Sequence, residues 1–518
     1  MQHRLCAFVL FALGSLVGCG PVATRAPAAA PVREDAAQIT ARHFDAIRHS
    51  PPQLEAFLRA MPKGADLHNH LSGAIYAEDY LEWAARDGDC VERATSTLVA
   101  PPCDAALDRP PVADALRDDA LYRQLIDAWS MRDFVADSGT SGHDHFFDTF
   151  GKFHLVNKAH RGDMLARATH QAALDHAIYL ELMDTLADAQ IRMLVEHTPW
   201  DGDFAHAQAH LHAGMAAVLA QAKTELDTAE QRRRDELRCA GAQPDPGCAV
   251  QVRFLYQVLR GFPAPVVFAQ MLAGFELAMN DARVVGINLV MPEDGYISMR
   301  DYREQMAMLD YLHGKYPRVH ISLHAGELAP GLVPPDGLRF HIRAAIERGH
   351  AQRIGHGVDV MHEDHPHELL AEMARRHVLV EICPTSNRSI LGIGGDDHPL
   401  PIYLAAQVPL AIATDDEGVS RSDLSREFAI AATSWNLSYG TLKTLARNSL
   451  EYAFVPGASL WQGRDGFEPV RACAAATPGA ATPDPDCAAF LAGSEKARLQ
   501  WQLEAQLHDF EAGIAAGR

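Results

Sequence analysis

Apolar residues along this chain fall into eight short, β-branched or apolar runs, and the stretches between the runs carry apolar residues at helical spacing. The runs are Ala65–His68, Ala177–Met183, Val252–Val258, Val284–Val290, Val319–His324, Arg353–His356, Val378–Cys383 and Leu410–Thr414. Strands alternating with helices imply βα units and a parallel sheet. Eight such units predict an α/β fold closed as a (β/α)8 TIM barrel. An open doubly wound sheet would need a Gly-rich phosphate loop at its switch point, and the sequence has none. Before the barrel, Ala36 to Met61 has a helical pattern interrupted at Pro51-Pro52. After it, a C-terminal extension ends in a predicted helix from Ser494 to Ala516. Ala84 to Asp118 is polar and rich in Pro and Asp. It reads as an insertion after the first strand that covers the site or binds a partner. The expected boundaries are N-terminal helices over 36–62, the barrel over 63–455 with its insertion at about 84–118, and the extension over 456–518.

Polar residues of one chemical kind stand at or just after the C-terminal ends of these runs. They are His68 and His70 in DLHNH, His324 and Glu327 in HAGE, His356 in RIGHG, and Asp415-Asp416 in TDDEG. That end of a barrel is where its chemistry is placed. His68 and His70, two apart on a strand, point to the same side. Three imidazoles and one carboxylate (His68, His70, His324 and Asp415) suit a borderline cation such as zinc, with a position left for water. Taken singly, each has a plainer explanation: an HxH pair as polar strand-end residues, His356 as a structural histidine, Glu327 as a carboxylate at a helix N-terminus. Asp66 reads either as an acceptor orienting one of the imidazoles or as a turn residue. A bound cation would make water acidic enough to ionise near neutral pH. His356 is then placed to take or orient that water's proton, and Glu327 to act as an acid with a pKa raised by burial.

A formal charge of -21 argues against nucleic acid or an anionic membrane as a partner. At the start of the chain, His3 and Arg4 precede an apolar run from Leu5 to Gly18 that is too short to span a bilayer. Its end, Leu16-Val17-Gly18-Cys19, resembles a bacterial lipoprotein signal. This predicts a signal over 1–18, lipidation at Cys19 and a flexible Ala/Pro-rich tether over 19–35. The expected location is outside the cytoplasm (periplasm, outer membrane or secreted), with membrane contact only through a lipid anchor at Cys19. Cysteine usage agrees. Setting aside Cys6 and Cys19, six of the nine cysteines form close pairs in loop-like segments: Cys90/Cys103, Cys239/Cys248 and Cys473/Cys487. Local disulfides are the most economical pairing, though six cysteines permit others. Cys383 is expected to be a buried, inert thiol. No pair has the spacing of a zinc-ribbon hook.

MPKGADLHNHLSGA, HAGE, RIGHG, EICPTSN and TDDEGVS together resemble the adenosine deaminase family, within the amidohydrolase barrels. The N-terminal helices, export signal and disulfide-bearing insertion are similar to its secreted growth factor-like branch. The likeness runs from about Met61 to Tyr452. It implies one zinc ion per chain on His68, His70, His324 and Asp415. It also implies that Glu327 protonates purine N1, that His356 helps activate the water and stabilise the resulting charge, and that Asp416 hydrogen-bonds purine N7. The implied reaction is hydrolytic deamination of adenosine and 2′-deoxyadenosine to the inosine product and ammonia. The branch implies a homodimer built through N-terminal helices. Two departures bear on the substrate: Met291 stands where the family usually has Gly, near purine N3, and Ser72 where many members have Asp, near the ribose 5′-hydroxyl. Trp129 and the stretch from Phe146 to Phe150 resemble the aromatic region lining the nucleoside pocket. A cytidine-type HxE…PCxxC motif is absent. Other substrates (a modified aminopurine, a nucleotide or a free base) and a non-catalytic purine-binding barrel remain as alternatives.

Overall fold

Apolar runs without alternation form strands only where both faces are covered, and the structure puts all eight expected runs in one parallel sheet. The computed structural model describes residues 35–137, 139–464 and 466–517. Cys19 and the expected signal lie outside the described residues, as does all but the last residue of the expected tether. The strands in chain order are β1 (Gly64–His70), β2 (Cys90–Glu92), β3 (Thr97–Val99), β4 (Ala177–Asp184), β5 (Gln251–Leu259), β6 (Val284–Val290), β7 (His320–Ala325), β8 (Arg353–His356), β9 (Leu379–Ile382) and β10 (Leu410–Ile412). The barrel order is β1-β4-β5-β6-β7-β8-β9-β10, while β2 and β3 form a separate antiparallel hairpin. Every residue of β6 is buried, as a strand between barrel interior and outer helices must be.

The barrel closes at the functional residues. β10 meets β1 through a bridge between Asn69 and Asp415. There the Asp415 N–H donates to the His68 carbonyl at 2.8 Å, and the His70 N–H donates to the Asp415 carbonyl at 2.9 Å. β1 is irregular in register between Asp66 and Asn69, which re-aims the chain around His68. Asp66 does not touch an imidazole. Its carboxylate accepts from the His68 backbone N–H and the Thr414 hydroxyl, tying β1 to the end of β10.

The N-terminal helices are Ala36–Ile47 and Pro51–Ala60. Pro51 and Pro52 open the second one, where a missing N–H costs no hydrogen bond. Phe57 packs at an angle against Phe44 and edge-on to Phe510, with centroids at 5.4 and 5.0 Å, joining these helices to the C-terminal helix Glu495–Ala515. That helix is also held by Arg447, whose guanidinium grips both Glu504 oxygens at 2.6 and 2.7 Å. The buried Lys63 ammonium donates to the Leu58, Met61 and Asp175 carbonyls, fastening the second helix to the barrel base. No described helix is long and apolar enough to cross a membrane.

The insertion does not reach over the site. It folds as the β2–β3 hairpin and two short 3-10 turns, closed by the Cys90–Cys103 disulfide. Trp129 donates its indole N–H to the Ser96 carbonyl at 2.7 Å, and β3 packs on the helix Gly142–Asn157. The insertion therefore backs the aromatic wall of the cavity from outside. Cys239–Cys248 and Cys473–Cys487 are also bonded, and Cys383 is free and buried.

Candidate active site

The ends of the barrel strands open into a cavity of about 820 Å³, within the size range of small-molecule sites. His70, His324, Glu327, Asp415 and Asp416 line its floor, and Ser72, Phe146, Phe147, Phe150 and Met291 line its walls. Trp129 is not among the lining residues; its ring lies buried between helix and insertion.

Four donor atoms meet on the floor. His68 Nε2 and His70 Nε2 lie 3.1 and 3.2 Å from His324 Nε2, and 3.3 and 3.2 Å from Asp415 Oδ1. Donors about 2.0–2.1 Å from one tetrahedral zinc would stand about 3.3 Å apart. Asp415 Oδ1 is buried with no hydrogen-bond partner, while Oδ2 accepts from the Ser386 hydroxyl at 2.5 Å. The residues present fit a divalent cation.

The second nitrogen of each imidazole decides which rings can be ligands. His68 Nδ1 faces Glu381 at 2.7 Å, His70 Nδ1 faces the Gln257 amide oxygen at 2.9 Å, and His324 Nδ1 faces the Asn288 amide oxygen at 2.8 Å. An acceptor at Nδ1 holds the hydrogen there and leaves the Nε2 lone pair free for a metal. His356 also lies in the cluster, close enough to share a cation with His68, His324 and Asp415. Its ring is held the other way round. The Leu400 N–H donates to His398 Nδ1, so neutral His398 carries its hydrogen on Nε2 and donates to Asn387 Oδ1 at 3.1 Å. The Asn387 amide N–H must then donate to His356 Nδ1, 2.9 Å away. His356 is left with its hydrogen on Nε2, which points inward without a partner, 3.7 Å from Glu327. It can donate to a water oxygen but offers no lone pair to a metal. Of the two roles open from sequence, this geometry favours orienting the water over taking its proton.

Burial drives the remaining protonation states. Glu327 is raised well above the usual carboxylate range by burial and by the charges of Asp415 and Glu293. Asp416 is raised by burial and by adjacent Asp415. Burial opposes ionisation of Asp415 too, but its contacts with His68 and His70 hold it well below the usual range. The floor thus pairs one carboxylate with two carboxylic acids. His356 is lowered to about 3 by burial and stays neutral. Glu293 positions the acid: its oxygens accept from the Gly326 and Glu327 N–H groups at 3.1 and 2.8 Å.

Three non-glycine residues of the site occupy the left-handed region: Met291 at φ 89°, His356 at 68° and Asp415 at 63°. Each such conformation costs about 1–3 kcal/mol and persists where surroundings over-determine it. At Met291 this also explains why glycine suits the position. Its side chain turns back onto Gly261, where an added Cβ would lie 2.8 Å from the Met291 methyl.

Glu381, Gln257, Asn288 and the Asn387–His398 pair escaped the sequence reading. For Glu381, Gln257 and Asn288 the signal was a single polar residue inside an otherwise apolar run, as in VLVEIC or VVGINLV. His398 carries a testable consequence. Burial lowers it to about 4, whereas an unfolded histidine titrates at about 6.5. Between these values the unfolded chain binds the proton and the folded chain does not. The stability His398 contributes is therefore full above pH 6.5 and lost as pH falls toward 4, by about 3 kcal/mol. Denaturant titrations at neutral and mildly acid pH should show a larger acid loss for the native chain than for His398→Gln; equal losses would contradict this.

The fold and site thus define a (β/α)8 barrel with a histidine–aspartate cluster at the C-terminal mouth of its strands. The adenosine deaminase family model matches residues 224–460, a span holding His324, Glu327, His356, Asp415 and Asp416. Over that span, a little under half of the chain, the sequence is similar to the adenosine deaminase family. It is 34% identical over 136 residues to an adenosine deaminase of Shewanella denitrificans, covering 26% of this chain and 38% of that protein. It is 37% identical over 106 residues to an aminodeoxyfutalosine deaminase of Streptomyces coelicolor, covering 20% and 27%. The chain thus spans well under half the length of these curated relatives. A crystal structure of an Arabidopsis ADAL protein complexed with IMP is 22% identical, with a TM-score of 0.49 over 77% of this chain and 93% of that one.

Proposed function

We propose that this protein is a zinc-dependent deaminase, hydrolysing adenosine and 2′-deoxyadenosine to the inosine product and ammonia outside the cytoplasm. One observation carries the reading: three imidazoles anchored through Nδ1 converge with Asp415 beside the buried Glu327, whose burial raises its pKa. The ligands would be His68, His70, His324 and Asp415, a donor set that suits zinc over magnesium. When bound, zinc makes water acidic enough to supply a nucleophile at neutral pH.

The chain's own residues do the rest. Glu327 delivers its proton to purine N1, which draws electrons from the neighbouring carbon as the water oxygen adds there; one water proton restores Glu327, and the other leaves with the amine as the C–N bond breaks to release ammonia. The His356 Nε2–H holds that oxygen in line. Asp416, protonated, donates to purine N7 and fixes the ring's orientation. Phe146 and Phe150 supply flat apolar walls, Met291 lines the N3 side with its side chain turned onto Gly261, and Ser72 is left to meet the sugar.

The cavity's outer part supports a nucleoside over a nucleotide. Arg161 lines it but is already held by Asp184 at 2.7 Å and Glu225 at 2.9 Å. Asp184, Asp188 and Glu225 line the cavity away from the floor, against Lys158 and Arg161. A phosphate would meet more carboxylates than cations there. Three formed disulfides support an oxidising compartment, and lipidation at Cys19 belongs to the same proposal. An absorbance panel of adenosine, 2′-deoxyadenosine, 5′-modified adenosines, AMP and adenine, with and without chelator, tests this reading. Chelator-sensitive turnover should be fastest on the nucleosides. Preference for AMP would overturn the substrate assignment, and adenosine binding without ammonia release would favour a non-catalytic barrel.

Gly73 gives a sharper test of Asp416. A Cβ at Gly73 would stand 1.5 Å from Asp416 Oδ1, so the close approach requires glycine. Gly73→Ala should displace Asp416 and raise KM about ten-fold or more, the worth of one lost hydrogen bond, with zinc content unchanged. An unaltered KM would remove Asp416 from purine recognition.

A further inference from the structure

The barrel holds a second large cavity, about 880 Å³, at the end opposite the candidate active site. The first residues of β6, β7 and β8 (Val284, His320 and Arg353) form one side of it. The segment after Tyr452, with Arg464 and Lys496, forms the other. Its electrostatic character is the reverse of the active-site cavity. Arg318, Arg353, Arg376, Arg464 and Lys496 line it, and Glu451 is the only carboxylate among the described lining residues. This concentration of positive charge sits in a chain whose net charge is -21.

Two of the five cations are accounted for by the fold. Arg353 is fully buried between Glu181 at 2.6 Å and Glu381 at 2.7 Å. Arg376 meets Glu372 at 2.9 Å. The other three are not. Arg318 is exposed and makes no hydrogen bond or ion pair with any described residue. Lys496 is half-buried, and the acceptor it reaches is the Glu451 backbone carbonyl at 2.8 Å rather than a carboxylate. Arg464 stands 4.0 Å from Glu451, its guanidinium over the Tyr452 ring. Burial pulls the Lys496 pKa down, offset only in part by Glu451. A desolvated ammonium with unused donors is stabilised by an anion.

We infer that this N-terminal-face cavity binds a small molecule carrying two or more linked phosphate groups. Three under-compensated cations exceed what a single carboxylate or phosphate monoanion would neutralise. Arginine forks and a lysine point charge together match phosphate oxygens. The enclosed volume suits a metabolite-sized ligand. Neither the deaminase chemistry nor its substrate reaches this face, so the inference stands apart from the proposed function.

Calorimetric titration of the full, metal-loaded chain with pyrophosphate tests it, with orthophosphate as a second probe. Saturable pyrophosphate binding is expected, at least ten-fold tighter than orthophosphate. It should weaken ten-fold or more in the Arg318→Glu/Arg464→Glu double variant, whose altered side chains are exposed, and again in Lys496→Gln. His324→Ala, which alters only the opposite mouth, should leave it unchanged. The inference is overturned by absence of saturable binding at millimolar probe, by equal affinity for the two probes, by indifference to the cavity substitutions, or by loss of binding in His324→Ala.

Discussion

Glu327→Gln is expected to lower kcat by about a thousand-fold while the chain keeps its full complement of zinc. The size follows from general acid catalysis, which contributes about 10²–10⁴. The selectivity follows from geometry. Glu327 is buried, its backbone N–H is fixed by Glu293 at 2.8 Å, and its carboxyl lies beside the imidazole cluster without belonging to the four converging donors. Gln has the same shape and can still donate a hydrogen bond, so binding should survive. What it cannot do is surrender a proton to the ring nitrogen. Metal analysis and steady-state kinetics on one preparation decide the matter: near-normal kcat would dismiss Glu327 as the acid, and lost zinc would make it a ligand.

His324→Ala should fail at the other step, by losing the metal. His324 Nε2 lies 3.1 and 3.2 Å from the Nε2 atoms of His68 and His70, so its removal opens the centre of the donor set. It also leaves the Asn288 oxygen without the imidazole N–H it accepts. Zinc affinity should fall by more than about a hundred-fold. Asn288→Ala, which keeps the ligand and removes only its anchor, should cost about 10–100-fold. Equal zinc content in His324→Ala and the native chain would show that His356 or another group completes the site.

The two variants separate what was legible in the amino-acid pattern from what was not. His68, His324 and Asp415 interrupt or end apolar runs at places where a buried strand has no reason to carry polarity, and that contrast exposed both the barrel and its mouth. Glu381, Asn288 and Gln257 sit inside runs of the same kind. Their inward direction depends on barrel shear and on the irregular register of β1, which no local pattern states. The orientation of His356 depends on a chain through Asn387, His398 and the Leu400 N–H, set by a turn some forty residues downstream of β8. The insertion illustrates the opposite failure. Its composition marked it as an appendage, but only packing shows that it supports the Gly142–Asn157 helix instead of covering the cavity.

The central claim is that this barrel mouth splits an aminopurine with water. Incubating adenosine with the purified protein in ¹⁸O-labelled water and weighing the product by mass spectrometry tests it most directly. The account predicts one labelled oxygen at the carbon that carried the amine, with one ammonia released per product. Adenosine recovered unaltered from protein carrying one zinc per chain would contradict it.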